Sequence, residues 1–443
     1  MSEWRMSEWM ERPELSAYMA RQRWFGEGEG EVAITQVREL GWLSDPAEGQ
    51  GVRFELVVAG SMYNVPLSYR RQPREDLSYG FVGAAALEDE VFYVYDALHD
   101  PEARRILLRG FADGIDTPAD IDYSRLEGFS LEAEGDSVLL SAEQSNTSVI
   151  VGDGLIKFFR KLAPGRNPDI EIQEALTLLG SEQISPLLGW ISSGDIDLAM
   201  IGAFQRTATD GWDSARASVR ALQDDEVRAR DAGGDFAGEC ERLGETLAMV
   251  HEQMRETLPT ASWGPSDVAA LVGRLNARLD RAVAMHDTVG TYADRVRAAY
   301  AAVDSDVPVP VQRVHGDFHL GQTLRTTSGW MVIDFEGEPA QPLEDRVRLD
   351  SVVRDLAGMV RSLDYAAHSV TIALGEESNE YVNDWVRRNR VAFLNGYGFE
   401  ASVSAAALLR AYEIDKTLYE VVYESKYRPD WVHIPLRALD RLV

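Results

Sequence analysis

The stretch Val314–Pro339, VHGDFHLGQTLRTTSGWMVIDFEGEP, constrains this chain more than any other. It holds two aspartates in contrasting company. Asp317 lies in His-Gly-Asp, after the alternating run 307–314, and Asp334 ends the apolar run Trp330–Ile333. Gln322 follows Asp317 within one polar loop.

That order is the order of a kinase catalytic loop followed by a metal-binding strand end. Protein kinases write it H-R-D-x-x-x-x-N and then D-F-G. Here it reads H-G-D-x-x-x-x-Q and then D-F-E. Phosphoryl transfer needs a loop over the phosphates, a lysine on them, Mg²⁺ ligands and a group that positions the attacking hydroxyl. Asp317 is the candidate base, the alternative being a loop aspartate that caps the next turn. Gln322 and Asp334 offer the oxygen that Mg²⁺ prefers, and the longer glutamine sets the backbone slightly further back. Glu336, where D-F-G has glycine, either adds a ligand or locks the loop. No further His or Cys stands at ligand spacing from His315 and His319, so they read as support for the loop rather than zinc ligands.

Upstream, Lys157 lies mid-strand in Leu-Ile-Lys-Phe-Phe, where a lone charge among apolar neighbours calls for a partner. Glu171 on the following helix is the expected one, with Glu174 a turn further on; an edge lysine facing solvent is the alternative. Gln144–Ser148 is the candidate phosphate loop, with Ser145, Asn146, Thr147 and Ser148 supplying hydroxyls and an amide in place of glycine N–H groups. A plain polar hairpin is the other reading. Neither a P-loop G-x-x-x-x-G-K-[ST] nor a hydrolase G-x-S-x-G occurs.

The chain of 443 residues is long enough for two or three domains. Residues 3–23 read as a helix, followed by strand-like runs at Val32–Val37, Val52–Val58, Met62–Tyr69 and Phe92–Asp96. A helix over Pro101–Phe111 leads to a second β-rich segment, with strands near Val138–Ser141, Val149–Val151 and Leu155–Phe159. A helix begins at Asp169, and two short strands lie within 186–204. From Thr209 the pattern is helical nearly to the end, with long helices at Cys240–Met254, Val268–Met285, Tyr292–Val303, Val352–His368, Asn379–Asn395 and Ala405–Tyr427. The expected fold is α+β: a β-rich cap over 1–90, a β-rich nucleotide lobe over 91–205 and a helical lobe over 206–443. This two-lobed order is that of the protein kinases, by analogy of fold alone.

The net charge of −29 and the lack of a basic stripe argue against nucleic acid as a partner. Cys240 is the sole cysteine and reads as filling a helix face. No run approaches a membrane span and the N-terminus has no signal-peptide pattern, so a soluble, cytoplasmic protein with no membrane partner is expected. Tyr412, Lys416, Tyr419, Glu420, Tyr423 and Glu424 recur at three- and four-residue steps near the C-terminus. A face of Tyr, Glu and Lys suits a sugar. A salt-bridged surface helix is the alternative.

The chain resembles the bacterial maltokinases. Gln22–Gly26, Asn64–Arg70, Asn146–Ser148, Pro164–Asp169, Ala208–Trp212, His315–Gln322, Asp334–Pro339, Arg354–Met359, Tyr427–Trp431 and Ile434–Arg437 carry the resemblance, which spans nearly the full chain. His-Gly-Asp is shared with the wider aminoglycoside-phosphotransferase-like group; Asp334-Phe-Glu-Gly-Glu-Pro339 and the C-terminal run are more specific. The resemblance implies a kinase-like fold with an N-terminal cap, and ATP-dependent phosphorylation of maltose at its anomeric hydroxyl, feeding α-glucan and glycogen synthesis. It implies Asp317 as base, Gln322 and Asp334 on Mg²⁺, Lys157 on phosphate, and an adenine-side hinge near Met200, Ile201 and Ala203, where a glutamate is expected in place of Ala203. His315, His319, Lys416, Tyr419, Glu420, Tyr423 and Glu424 are the candidate residues toward the sugar, and the position of the cap ahead of the nucleotide lobe suggests regulation or a docking partner such as a trehalose synthase. A glucosamine kinase, with Glu420 or Glu424 facing the amine, is the close rival. A silent kinase-like binding module is the remaining alternative, and an intact Asp317, Gln322, Asp334 and Lys157 argue against it.

Overall fold

Period-two patterning in the N-terminal region becomes antiparallel sheet, and period-three-and-four patterning beyond Thr209 becomes helix. The computed structural model describes residues 13–25, 32–87, 90–113, 120–128, 131, 135–140, 145–225, 228–231, 235–304, 306–339, 341–374 and 379–443. They divide into two units, 1–171 with 186–205, and 172–185 with 206–443. No helix among the described residues is long and apolar enough to cross a membrane.

The first unit opens with α1 (Pro13–Ala20); the rest of the expected helix over 3–23 lies partly outside the described residues. β1 (Gln36–Ser44), β2 (Gly51–Ala59), β3 (Ser61–Asn64), β4 (Leu67–Arg70), β5 (Phe81–Leu87) and β6 (Glu90–Asp96) follow, then α2 (Pro101–Asp113). β7 (Asp122–Arg125), β8 (Ser137–Leu139), β9 (Asn146–Val151), β10 (Gly154–Phe159), β11 (Lys161–Leu162), α3 (Pro168–Leu179), β12 (Leu187–Ser193) and β13 (Ile196–Ala203) complete the β-rich part. The chain forms two antiparallel sheets there, one in the order β11-β3-β2-β4-β6-β5 with β1 on β2, the other β7-β12-β13-β10-β9-β8. The run 62–69 is two strands rather than one. Pro66, with no N–H to give a ladder, separates them. The strand expected at 32–37 starts only at Gln36, and the alanine-rich β5 had no strand-like alternation to announce it. Leu87 pairs with Glu90, so residue 90 lies inside a hairpin and the cap sheet runs on to Asp96.

Alternation along β2 gives the sheet two apolar faces. Val52, Phe54 and Leu56 join a core with β9, β10 and β13, while Val57 and Ala59 pack with Leu15, Tyr18 and Met19 of α1. One buried ion pair ties these layers together. Arg160, fully buried, donates to Asp96 Oδ2 at 2.7 Å, to Thr147 Oγ1 at 2.8 Å and to Asn64 O at 3.3 Å. Its guanidinium lies 4.8 Å from the Trp24 ring centroid, and Tyr18 Oη donates to the same Asp96 oxygen at 2.9 Å.

The second unit takes up the rest of α3 and continues with β14 (Thr209–Asp210), α4 (Gly211–Asp225), α5 (Ala237–Thr257), β15 (Thr260–Trp263), α6 (Pro265–Met285), α7 (Asp287–Gly290) and α8 (Ala293–Ala301). β16 (Val309–Gln312), β17 (Thr323–Arg325), β18 (Trp330–Val332), α9 (Leu343–Arg346), α10 (Val353–Ala373), α11 (Glu380–Tyr397), α12 (Val403–Tyr427) and α13 (His433–Leu442) complete it. The six long helices expected here all form, with bounds shifted by a few residues at most. Cys240 is fully buried in this core, and burial pushes its thiol pKa up, as befits a packing residue.

Removing one partner of a buried ion pair leaves the other charged and unsolvated, which costs about 3–5 kcal/mol. Arg160→Met is therefore expected to lower the urea midpoint of unfolding sharply, and Arg160→Met with Asp96→Asn to recover part of the loss. Equal midpoints for wild type and Arg160→Met would show that the pair does not hold the sheets together.

Candidate active site

The catalytic-loop residues are held from below by α10. Asp355, in its first turn and buried, accepts from the backbone N–H of His315 and of Gly316, each at 2.8 Å, and meets His251 Nε2 at 3.0 Å. Burial pushes the Asp355 carboxyl up, and the hydrogen bonds from His251 and Gly316 outweigh it, so its pKa lies below the usual range. Gly316 has φ 82°, a left-handed conformation that glycine adopts without cost. Gly358 on α10 leaves room for the loop: a Cβ there would lie 2.4 Å from Phe318 O.

His315 is a loop support. Its Nδ1 accepts from the Asp317 N–H at 3.3 Å, which leaves Nε2 to donate to Ile333 O at 3.0 Å, and its ring packs on Phe318 and Phe335. His319 Nδ1 accepts from the Gly321 N–H at 3.1 Å, and burial lowers its pKa.

Asp317 meets Lys416. Nζ of Lys416, on α12, donates to Asp317 Oδ1 at 2.7 Å and lies 3.8 Å from Glu338 Oε1. Burial pushes the Asp317 carboxyl up, but Lys416 and the nearby His319 outweigh it and hold it well below the usual carboxylate range. Burial likewise pulls Lys416 down, and Asp317 with Glu338 raises it above its ordinary value. Both shifts favour the ion pair. Lys416 engages Oδ1 and leaves Asp317 Oδ2 without a hydrogen bond among the described residues.

Gln322 and Asp334 come together across the β17–β18 hairpin, where Gln322 Nε2 donates to Asp334 Oδ2 at 2.9 Å and Gln322 O accepts from the Ile333 N–H at 3.0 Å. Asp334 has φ 66°, the only non-glycine among the described residues in the left-handed region. Such strain, on the order of 1–3 kcal/mol, persists where the surroundings over-determine a functional conformation. Carboxylate oxygens of Asp334 and Glu336 lie within 4.8 Å of each other. An amide oxygen and two carboxylates are a hard, oxygen-only donor set, which fits Mg²⁺. Glu336 also lies 3.8 Å from Arg346, so the locking role is built as well.

In the first unit, Lys157 on β10 donates to Asp169 Oδ2 at 3.0 Å. Asp169 was not singled out from the sequence; it shares the first turn of α3 with the expected Glu171. The polar run 146–148 is a correction. Asn146, Thr147 and Ser148 are the first residues of β9, paired with Phe159, Phe158 and Lys157, and are buried. Their hydroxyl and amide groups mimic a loop in sequence because burial next to Arg160 gives Thr147 a polar partner within the sheet. Ser145 precedes the strand, and 141–144 lie outside the described residues. Met200 and Ile201 are buried core residues of β13, and Ala203 at its end donates its N–H to Pro186 O at 2.9 Å.

α12 is a buried helix, not a surface one. Its acidic residues each hold a partner through one oxygen at least, though Glu424 Oε2 and Asp415 Oδ1 are buried without one among the described residues. Glu420 accepts from Arg361 at 2.7 Å, and Glu424 from Arg428 at 2.6 Å and Tyr365 Oη at 2.5 Å. Burial still leaves Glu420 with a raised pKa. The Lys416 ammonium sits 4.7 Å above the Tyr419 ring, and burial pushes the Tyr419 phenol up to about 12. Half-buried aromatic rings run alongside: Trp212 to Tyr365 at 6.1 Å, Tyr365 to Trp431 at 6.2 Å, and Tyr419 to Tyr423 at 6.3 Å between centroids. Arg428 lies 4.9 Å from Trp431. Glu338, Asp355 and Tyr365 had no assigned role in the sequence reading. Glu338 and Asp355 stood in plain view within motifs, but their partners are remote in the chain.

Residues 18–100 match the model of the maltokinase N-terminal cap domain, and residues 197–394 match that of the phosphotransferase enzyme family. A glucosamine kinase of Streptacidiphilus jiangxiensis is 28% identical over 320 residues, 68% of this chain and 72% of that protein. One from Mycolicibacterium smegmatis is 27% identical over 351 residues, 73% of this chain and 83% of that protein. A solved glucosamine kinase in complex with glucosamine, ADP and inorganic phosphate superposes with a TM-score of 0.70 at 24% identity, covering 99% of this chain and 100% of that one. The fold is therefore kinase-like, α+β, with a β-rich N-terminal region and a helical C-terminal part. Two segments of the chain are thus similar to the maltokinase N-terminal cap and to the phosphotransferase enzyme family, and together with the curated relatives they support a kinase.

Removing Lys416 removes the main force that keeps Asp317 acidic and leaves burial, which acts the other way. In Lys416→Met the acid limb of kcat/KM against pH is expected to move upward from below pH ~4, the ordinary carboxylate range. An unmoved limb would show that Asp317 does not set it.

Proposed function

We propose that this chain is an ATP-dependent sugar kinase that phosphorylates maltose at its anomeric hydroxyl. The match of residues 18–100 to the maltokinase cap carries this reading. The acceptor side agrees with it. A positively charged amino sugar wants a carboxylate to itself, and Glu420 and Glu424 each hold a guanidinium already. A neutral sugar needs hydroxyl partners and ring faces, and Trp212, Tyr365, Trp431, Tyr419 and Tyr423 supply more than one face.

In this reading, Asp317 Oδ2 accepts the hydrogen bond of the anomeric hydroxyl and aligns it for in-line attack. The sugar oxygen–phosphorus bond forms as the bond from phosphorus to the leaving ADP oxygen breaks, and the hydroxyl proton passes to Asp317. A weakly basic carboxylate suits a loose transition state, in which the nucleophile needs orientation early and deprotonation late. Lys416 keeps Asp317 ionised. Lys157, fixed by Asp169, contacts the nucleotide phosphates, and Ser145, Ala203 and the β13 backbone stand on the nucleotide side. Gln322 and Asp334, with Glu336 beside them, hold Mg²⁺; when bound, the ion neutralises charge on the phosphates. The product sugar phosphate enters α-glucan synthesis, and the location is cytoplasmic, where ATP is supplied.

The second reading, glucosamine as acceptor, is favoured by the names of the two curated relatives. ADP release with Mg²⁺-ATP and maltose, glucose, glucosamine or an aminoglycoside separates the two. Maltose is expected to be turned over best, and turnover of glucosamine alone would overturn the acceptor assignment. Asp317→Asn is expected to lower kcat by about 10²–10⁴. Wild-type turnover in that variant would overturn the mechanism.

A further inference from the structure

Arg274, Arg278 and Arg281 stand at i, i+4 and i+7 on α6 and so share one face. With Arg346, Arg348 and Arg354 they line a cavity of about 200 Å³ that reaches Gly316 and Glu338. Six arginines meet four carboxylates there, Glu338, Asp345, Asp350 and Asp415, in a chain with 73 acidic and 44 basic residues overall. The local sign of charge is the reverse of the chain's.

Four of the six have a carboxylate partner: Arg278 has Asp415 at 2.6 Å, Arg354 has Asp350 at 3.3 Å, Arg348 has Asp345 at 2.6 Å, and Arg346 has Glu336 at a looser 3.8 Å. Glu338 lies between Arg278 and Arg354, at 3.9 and 3.7 Å. Arg274 and Arg281 are exposed and make no ion pair among the described residues. Two polar atoms of the lining are buried without a hydrogen-bond partner among the described residues: a donor, Arg346 Nε, and an acceptor, Asp415 Oδ1. Buried polar atoms are ordinarily paired, so each points to a missing complement. The donor side asks for an anion that accepts from guanidinium groups, as a phosphate does. The acceptor side asks for a hydroxyl. A bare polyphosphate satisfies only the first, and a neutral sugar only the second.

We propose that this cavity is a binding site for a sugar phosphate monoester, its phosphate on Arg274, Arg281 and Arg346 and a hydroxyl on Asp415. The cavity takes Tyr412 and Asp415 from α12 but none of the Tyr365, Tyr419, Tyr423 and Trp431 rings, and the proposal does not depend on which sugar the kinase phosphorylates. It adjoins the catalytic loop through Gly316, and Glu338 is common to its lining and to Lys416.

The test is calorimetric titration of the full-length protein, without nucleotide, with glucose 6-phosphate, inorganic phosphate and glucose. Glucose 6-phosphate is expected to bind about tenfold or more tightly than either of the others, and less tightly as salt rises. Arg274→Ser with Arg281→Ser is expected to weaken it on the order of tenfold for each arginine lost, since a hydrogen bond to a charged group is worth about that much. Both arginines are exposed, so the double variant keeps its fold and its basal turnover. Undiminished binding in the double variant overturns the proposal, as does inorganic phosphate binding as well as the sugar phosphate. Displacement of glucose 6-phosphate by a saturating acceptor sugar also overturns it, because the ligand then sits in the acceptor cleft.

Discussion

The active-site half of this molecule depends on one carboxylate that does no chemistry. Asp355 gathers the His315 and Gly316 amides and His251 onto the first turn of α10. Without that anchor a loop containing a glycine at φ 82° has no reason to keep its shape. With it, Asp317 emerges at a fixed point. Gly358, one turn along the same helix, lets Phe318 O approach closely enough to complete the seat. The aspartate and glycine in Arg-Asp-Leu-Ala-Gly-Met are thus explained by contact with His-Gly-Asp-Phe, and each motif makes physical sense only beside the other.

The cap and the nucleotide-side sheet are joined by similar logic in the first unit. Arg160 is fully buried and serves Asp96 at the end of the cap sheet, Asn64 within it, and Thr147 on β9. Asn64 in turn donates to Leu198 O on β13 at 3.1 Å. Such groups are costly to bury singly and tolerable only as a set. The cap is built into the sheet it precedes with Asn64 at the seam, while Tyr69 and Arg70 bind Glu55 and Asp100 within the cap region.

What could be read from the sequence was whatever is local. Helices with an apolar face, strands with alternation, and Asp317, Gln322 and Asp334 within one short stretch all declare themselves by spacing. Lys416 and Asp317 are 99 residues apart, and Glu420 and Arg361 are 59 apart. No periodicity links them, so Glu420 looked available for an amine when it is already paired. Lys157 raised a related problem. Asp169, Glu171 and Glu174 all follow it on one helix, and spacing alone does not announce that the packing of that helix brings Asp169 to the lysine. Thr147 and Ser148 misled through composition, because a buried polar strand and a polar loop have the same letters. The arginine stripe of α6 was legible as spacing but was hidden under a net charge of −29, which averages over the chain and conceals a local reversal.

The choice of cation carries a final argument. Of 44 basic residues only four are lysine: Lys157, Lys161, Lys416 and Lys426. Arginine serves nearly every other pair, including those of Asp96, Asp100, Glu420 and Glu424. Lysine therefore stands out at the two positions that hold Asp169 and Asp317. The difference is geometric. A guanidinium presents a planar fork that engages both oxygens of a carboxylate, whereas an ammonium is a point charge that holds one. Lys416 takes Oδ1 of Asp317 and leaves Oδ2. An arginine fork in its place would engage both oxygens, and in the mechanism proposed above Oδ2 is the one that takes the acceptor hydroxyl, so the lysine fits an aspartate that is both charged and half free.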